Sequence, residues 1–227
     1  MIVVCRFSQT TYLFNQMTKI IYPPRPKGAV PPTDLPHYDE LGLFCVQPKY
    51  NGSRSIIHIA EDRRVQIFSR HGRAHHSYTM PLPIQNEILA LPGLPKATEI
   101  WLDGELMVKT TPEDTKGKII LFDVLHYKEY LFLQYTQVER LNLLAKICGE
   151  PTKLDPWRGM GYQISDNLLM APTFFSNFKD EFLKDYGDEV EGLVLRKKDS
   201  LIDNFGQKEY EVPWLIRCRR PHKNYHF

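Results

Sequence analysis

Six consecutive residues carry most of the chemical promise of this chain: Lys49-Tyr50-Asn51-Gly52-Ser53-Arg54. A lysine that ends a strand just before a glycine turn projects its amine into whatever cleft the neighbouring sheets form. That amine becomes a nucleophile only after losing its proton, and burial and nearby cations promote the loss by disfavouring the ammonium. Arg54, Arg217, Arg219 and a divalent metal are candidate sources of that positive field. Further pieces follow in order: Ser69-Arg70, then Asp103-Gly104-Glu105 inside a strongly apolar run, then Phe122-Asp123. Glu191-Gly192-Leu193-Val194-Leu195-Arg196 and Arg217-Cys218-Arg219 close the series. Other phosphate-handling signatures are missing. No stretch reads G-x-x-x-x-G-K-[ST] or G-x-G-x-x-G, and neither H-E-x-x-H nor a serine elbow occurs.

These pieces need elements to hold them. Leu43 to Pro48 reads as a strand that delivers Lys49. Arg54 to Ala60 and Arg64 to Arg70 alternate enough to form a hairpin around Glu61-Asp62. Gln85 to Leu91 reads as a short helix stopped by Pro92-Gly93. Glu99 to Val108 and Lys118 to Leu125 read as strands. Val138, Leu141, Leu144, Ala145 and Cys148 recur at helical spacing, so Thr136 to Cys148 is expected to be a helix ended by Gly149. Ser176 to Tyr186 is expected to be a second helix with Ser176 as N-cap. Val190 to Arg196 and Trp214 to Arg219 read as closing strands. Tyr22 to Pro36 holds six prolines and reads as an extended loop, which divides an N-terminal segment, residues 1–36, from a body, residues 37–227. Many strands with a few interspersed helices indicate α+β.

Composition sets the outer limits. The 227 residues are 42% hydrophobic and 25% charged, enough for a sizeable core. A net charge of +2 does not mark a nucleic-acid binder, but from Leu193 to Phe227 eight Lys/Arg stand against four Asp/Glu, just after an acidic Asp180 to Glu191. Cys5, Cys45, Cys148 and Cys218 are scattered without a C-x-x-C, which argues against zinc and disulfides and for a reducing compartment. Met1 to Phe14 is a poor signal peptide, and no apolar run of about 18 residues exists to span a membrane. The expected location is cytoplasmic, or nuclear in a host with a nucleus.

Taken in order, the pieces resemble the covalent nucleotidyltransferases, the superfamily of ATP-dependent DNA ligases, RNA ligases and mRNA capping enzymes. Lys49 to Arg54 is similar to their first motif, K-x-D-G-x-R, except at Asn51. Asp103-Gly104-Glu105-Leu106, Leu121-Phe122-Asp123-Val124, Glu191 to Arg196 and Ile216 to Arg219 resemble the later motifs. Each match alone is weak; five in order from Gln47 to Arg219 are strong together. The resemblance implies two antiparallel-rich sheets flanked by helices, with the nucleotide cleft between them; the OB-fold domain that usually follows in this family is not expected within this chain.

It also implies roles. Lys49 would attack the α-phosphate of ATP and carry AMP. Gln47 would contact the adenine, Phe122 would stack on it, Arg54 would bind the ribose or the strand end, and Glu105 would contact the ribose or the metal. Glu105 and Glu191 would hold Mg2+ or Mn2+. Arg196, Arg217 and Arg219 would bind the nucleotide, with Arg217 and Arg219 neutralising charge that builds on the α-phosphate. Arg70 would grip the 5′-phosphate of a nick. The expected substrate is nicked duplex DNA, with an RNA ligase, a capping guanylyltransferase and a non-catalytic binding module as alternatives. A chain ending soon after the last motif is expected to be a minimal enzyme, a shortened one, or a core completed by a separate OB-fold or clamp partner.

Two departures bear on these roles. Asn51 stands where aspartate is usual, and Arg196, Arg217 and Arg219 stand where lysine is usual. Arginine keeps the charge but changes the shape of the donor. Plainer readings exist for several residues: Phe122, Trp101, Trp157 and Trp214 as core, and His75-His76 as a surface loop in place of a metal pair, since no third ligand is placed.

Overall fold

The computed structural model describes residues 20–75, 78–108, 115–127, 130–131, 135–155, 159–202 and 209–221. Strands dominate. The first five are β1 (Arg25–Ala29), β2 (Phe44–Tyr50), β3 (Ser53–Ile59), β4 (Val65–Ser69) and β5 (Ile100–Leu106). They are followed by β6 (Ile119–Tyr127), β7 (Tyr130–Leu131), β8 (Tyr162–Gln163), β9 (Leu168–Met170), β10 (Val190–Lys197) and β11 (Glu211–Arg219). The helices are α1 (Leu35–Glu40), α2 (Leu82–Leu89), α3 (Gln137–Cys148) and α4 (Phe178–Leu183). Among the described residues no helix is long and apolar enough to cross a membrane.

Two mixed sheets result. The small sheet runs β1-β11-β10-β2, and the large one runs β4-β3-β5-β6-β9-β8 with β7 beside β6. β2 and β3 are consecutive but belong to different sheets, so the Asn51-Gly52 turn between them crosses from one sheet to the other. Lys49 therefore ends on one wall and Arg54 begins on the other. Glycine is required at Gly52 because a Cβ there would lie 2.6 Å from the Leu106 carbonyl of β5.

Burial explains the order of elements. β5 and β6 are central strands of the large sheet and are buried almost throughout, which is why they read as continuous apolar runs. Their outer face packs Leu102, Leu106, Leu121 and Val124 against Ile84 and Ile88 of α2 and Leu144 and Ile147 of α3. The outer face of the small sheet packs Val46, Leu193 and Leu195 against Leu35 of α1 and Phe178 and Phe182 of α4. The inner faces are left to build a cleft.

Four expectations need correction. The proline-rich stretch from Tyr22 to Pro36 contributes β1, which pairs in parallel with β11. Pro26 is tolerated because β1 is an edge strand, where a missing N–H breaks no interior ladder. α2 starts at Leu82, three residues early, since Pro83 sits in its first turn where no intrahelical donor is needed. α4 is shorter than expected, and Ser176 does not cap it. Asn177 precedes the helix with φ +60, and the Phe178 N–H is taken by Asp39 Oδ2 of α1 at 3.2 Å, a cap supplied from another helix. The buried face of α3 is also turned from the apolar stripe: Gln137, Arg140, Leu144, Ile147 and Cys148 are buried, while Val138, Leu141 and Ala145 are not. The rest of α3 matches expectation, with a Thr136–Glu139 capping box and Gly149 in the left-handed conformation at φ 82.

Trp101 is buried and stacks on His58 with ring centroids 4.2 Å apart, and Trp214 packs partly buried beside it. Trp157, His76 and Cys5 lie outside the described residues. Cys45, Cys148 and Cys218 are free, buried thiols.

Candidate active site

A cleft of about 470 Å3 opens between the inner faces of the two sheets. Gln47, Lys49, Arg54, Arg70, Glu105, Phe122, Glu191, Arg196, Arg217 and Arg219 all line it. The structure thus gathers every site residue expected from the sequence, from six strands and one turn, into one place. Seven Lys/Arg and two Glu line the cleft, so it is strongly positive although the whole chain is nearly neutral. Such a cavity concentrates polyanionic ligands.

Lys49 Nζ contacts Glu191 Oε2 at 2.5 Å, and both side chains are partly exposed. The placement of Glu191 comes from a bulge. The β10–β2 register shifts between Val190 and Leu193, and Gly192 adopts φ +140, where a Cβ would lie 2.1 Å from the Cys218 carbonyl. The same carboxylate oxygen is 3.5 Å from Arg219 Nε on β11. Arg217, one alternation along, lines the cleft with a buried Nε that has no hydrogen-bond partner among the described residues. A lysine amine, a carboxylate and two guanidiniums converge here.

Asn51 explains its own departure from aspartate. Its Nδ2 donates to the Asp188 carbonyl at 3.1 Å, and its N–H donates to the Glu189 carbonyl at 2.8 Å. An aspartate would set an acceptor against that carbonyl. The turn after Lys49 is thereby fastened to the chain that leads into Glu191.

On the opposite wall Glu105 accepts the Gly52 N–H at 3.1 Å. Burial pushes its carboxyl up to about 7, against the opposing fields of Lys49 and Arg54. Arg54 forms a two-pronged pair with Asp103 (Nε to Oδ1 3.0 Å) and also donates to the Pro24 carbonyl at 2.8 Å. Two guanidiniums lie over the Phe122 ring, Arg54 at 5.6 Å and Arg196 at 5.2 Å from its centroid. Phe122 is 8% exposed, packs in a cluster with Tyr50, Ile120 and Met160, and still lines the cleft. It serves as core and cleft surface together.

Arg196 touches the cleft, but its terminal nitrogen is engaged by Asp123 at 3.2 Å and Gln137 at 3.3 Å. Asp123 also holds Arg140 of α3 at 2.9 Å, and Arg140 is fully buried. Burial alone would raise the Asp123 carboxyl, but Arg140 and Arg196 hold it below its ordinary range. This group ties β6, β10 and α3 together behind Phe122.

Gln47 is buried, and its Nε2 donates to Thr173 Oγ1 at 3.0 Å and to the Phe122 carbonyl at 3.4 Å. The Phe122 carbonyl only accepts, which fixes the amide's orientation. Oε1 is left buried without a partner among the described residues. Gln47 therefore keeps an unused acceptor beside the cleft.

Two carboxylates on facing walls suit a hard cation that takes its remaining ligands from phosphate oxygens and water, as Mg2+ and Mn2+ do. Among the described residues no group of three or more His, Cys, Asp or Glu could hold a metal without such help.

The cleft also holds Arg25 and His71, which the sequence did not single out, and His75, which it read as part of a surface loop. His75 Nε2 is 3.0 Å from Ser55 Oγ, and burial lowers its pKa. Arg25 was hidden in the proline-rich stretch, and only the pairing of β1 with β11 brings it to the cleft. His71 follows Arg70 directly, and that adjacency was the one available signal.

Residues 38–117 match the family model described as "ATP dependent DNA ligase domain". No curated protein matches the chain. Among solved structures, the ligase domain of M. tuberculosis LigD is similar with TM-score 0.53 and 17% identity over 76% of this chain and 52% of that one. A structure named Pmar-Lig_Pre gives TM-score 0.57 and 16% identity over 89% of this chain and 47% of that one. The ATP complex of the bacteriophage T7 ATP-dependent DNA ligase gives 0.52 and 11% over 85% and 67%. The chain spans about half the length of the first two. Its fold is thus similar to that of these ligase structures, and residues 38–117 match the ATP dependent DNA ligase domain in sequence.

Proposed function

We propose that the chain is the nucleotidyltransferase core of an ATP-dependent polynucleotide ligase that works through a covalent lysyl-AMP on Lys49. The observation that carries this reading is the meeting of Lys49, Glu191, Arg217 and Arg219 in a positively charged cleft between the sheets. The Lys49 amine, freed of its proton, attacks the α-phosphorus of ATP. A P–N bond forms as the bond to pyrophosphate breaks. Arg217 and Arg219 stabilise charge on the phosphoryl oxygens as it builds. Glu191 holds the amine in place and is the nearest base for its proton. A 5′-phosphate oxygen then attacks the same phosphorus, the lysine leaves, and an AMP–strand anhydride results. Attack by a 3′-hydroxyl on the strand phosphate joins the ends and expels AMP. When bound, Mg2+ or Mn2+ would be held by Glu105 and Glu191 and would neutralise phosphate charge.

Gln47 supports adenine over guanine. Both its N–H donors are spent within the protein, so Oε1, buried beside the cleft and without a partner among the described residues, is the group left to meet a base. The 6-amino group of adenine can donate to it, whereas the 6-oxo group of guanine would set acceptor against acceptor. Arg70, exposed and lining the cleft, would meet a 5′-phosphate. Nicked duplex DNA is the first substrate to test. Strand joining should be assayed on nicked DNA, nicked RNA and single-stranded RNA ends, with ATP and with GTP. ATP-dependent sealing of nicked DNA that is lost in Lys49→Ala is the expected result. Joining of RNA ends alone would shift the assignment to RNA, and joining of none of them would sink the reading.

A further inference from the structure

Arg25 on β1 and His71 in the turn after β4 belong to different sheets, and both line the cleft. One carboxylate links them. Arg25 donates to Glu209 Oε2 at 2.5 Å, and His71 Nδ1 is paired with Glu209 Oε1. The β1–β11 pairing brings Arg25 to this point, since the Arg25 N–H donates to the Tyr210 carbonyl at 2.9 Å. The second ring nitrogen of His71, Nε2, takes the Arg70 Nε–H at 3.1 Å. A guanidinium only donates, so Nε2 is the bare nitrogen and Nδ1 carries the proton that goes to Glu209. Each oxygen of one internal oxyanion thus receives one donor, the arrangement that two oxygens of a phosphate accept.

These groups remain accessible. The side chains of Arg25, Glu209 and His71 are 34%, 22% and 51% exposed. Partial burial would raise the Glu209 carboxyl, but His71 and Arg25 together bring it below its usual range. Glu209 is thus an anion at neutral pH that competes with any other anion arriving at the same donors.

We propose that Arg25 and His71 form a phosphate subsite at the edge of the cleft, held in the free chain by the Glu209 carboxylate, which an incoming phosphate displaces. Two sources share this chemistry: the backbone of a nucleic-acid strand and the terminal phosphates of a nucleotide. The subsite stands on its own geometry, and it rests on the ligase reading only for the identity of the phosphate it meets.

The test compares wild type, Glu209→Gln and Arg25→Gln for binding of a 5′-phosphorylated nicked duplex, ATP and inorganic pyrophosphate over a range of salt. Glu209→Gln should bind at least one of them about fivefold tighter, the effect of removing one unit charge a few Å away in a watery setting. Arg25→Gln should weaken the same ligand. A gain for the duplex, with a steeper salt dependence, assigns the subsite to the strand. A gain for ATP and pyrophosphate assigns it to the nucleotide. Unchanged or weaker binding of all three by Glu209→Gln, at an unaltered denaturation midpoint, overturns the proposal. Should Glu209→Gln unfold early, unchanged binding by Arg25→Gln overturns it equally. Failure of wild type to form a covalent adduct would count against the ligase reading and leave this comparison intact.

Discussion

Behind Phe122, charge is met at close range. Arg54 is clasped by Asp103, and Asp123 is shared by Arg140 and Arg196 with almost no exposure. At the Lys49 edge the arrangement is looser. Lys49 and Arg219 share one partly exposed carboxylate, and Arg217 keeps a buried nitrogen without a partner. The first region has committed its carboxylates to the fold, although among the described residues the Arg196 Nε there is also buried without a partner. The second holds capacity in reserve, as a site must if it is to receive phosphate. Breaking charge in the first should cost stability, and breaking it in the second should cost chemistry.

Asp123→Ala sharpens that contrast most. It strands Arg140 and Arg196 in a buried setting, and loss of one partner of such a group costs about 3–5 kcal/mol. Urea denaturation should show a large fall in midpoint; a change below about 1 kcal/mol would contradict the structural role given to this network. Arg217→Ala is the counterpart. The rate of adenylylation should fall by about 10²–10³-fold, as for loss of one transition-state donor, while the urea midpoint stays close to wild type. An equal loss in both measurements would erase the distinction between the regions.

Glu105 stands between the two behaviours. Its carboxyl titrates at about 7 in the fold and near 4.5 when unperturbed. The folded state therefore holds the proton more tightly. Stability falls as pH rises from about 4.5 to about 7 and is flat above, with a total effect of up to about 3 kcal/mol. Glu105→Gln should remove that slope, and saturating Mg2+ should shrink it in wild type by favouring the ionised carboxylate. A slope that persists in Glu105→Gln would assign the titration to another group. The smallest effect lies far from the cleft: Thr136→Ala should cost about 1 kcal/mol through the lost cap on α3, with no change in adenylylation at saturating ATP.

The sequence revealed the Lys49 edge because its signals are local. A lysine before a glycine turn, a Glu-Gly pair and a terminal Arg-x-Arg each declare themselves within a few residues, and their order along the chain supplies the rest. The buried network was not legible. Arg140 sits on a helix whose apolar stripe points elsewhere, and only Asp123, packed against α3 from β6, turns Gln137 and Arg140 inward. The same holds at the mouth, where prolines disguised β1 and only its pairing with β11 reveals Arg25 and Glu209. Residues that work through neighbours distant in sequence leave no short-range trace.

The central claim is that Lys49 carries the nucleotide. Incubation with α-phosphate-labelled ATP and Mg2+ or Mn2+, followed by peptide mapping, tests it most directly. The account predicts an acid-labile AMP adduct on Lys49, formed with ATP in preference to GTP and absent in Lys49→Ala. No adduct with either nucleotide across several pH values, or an adduct on another residue, would contradict it.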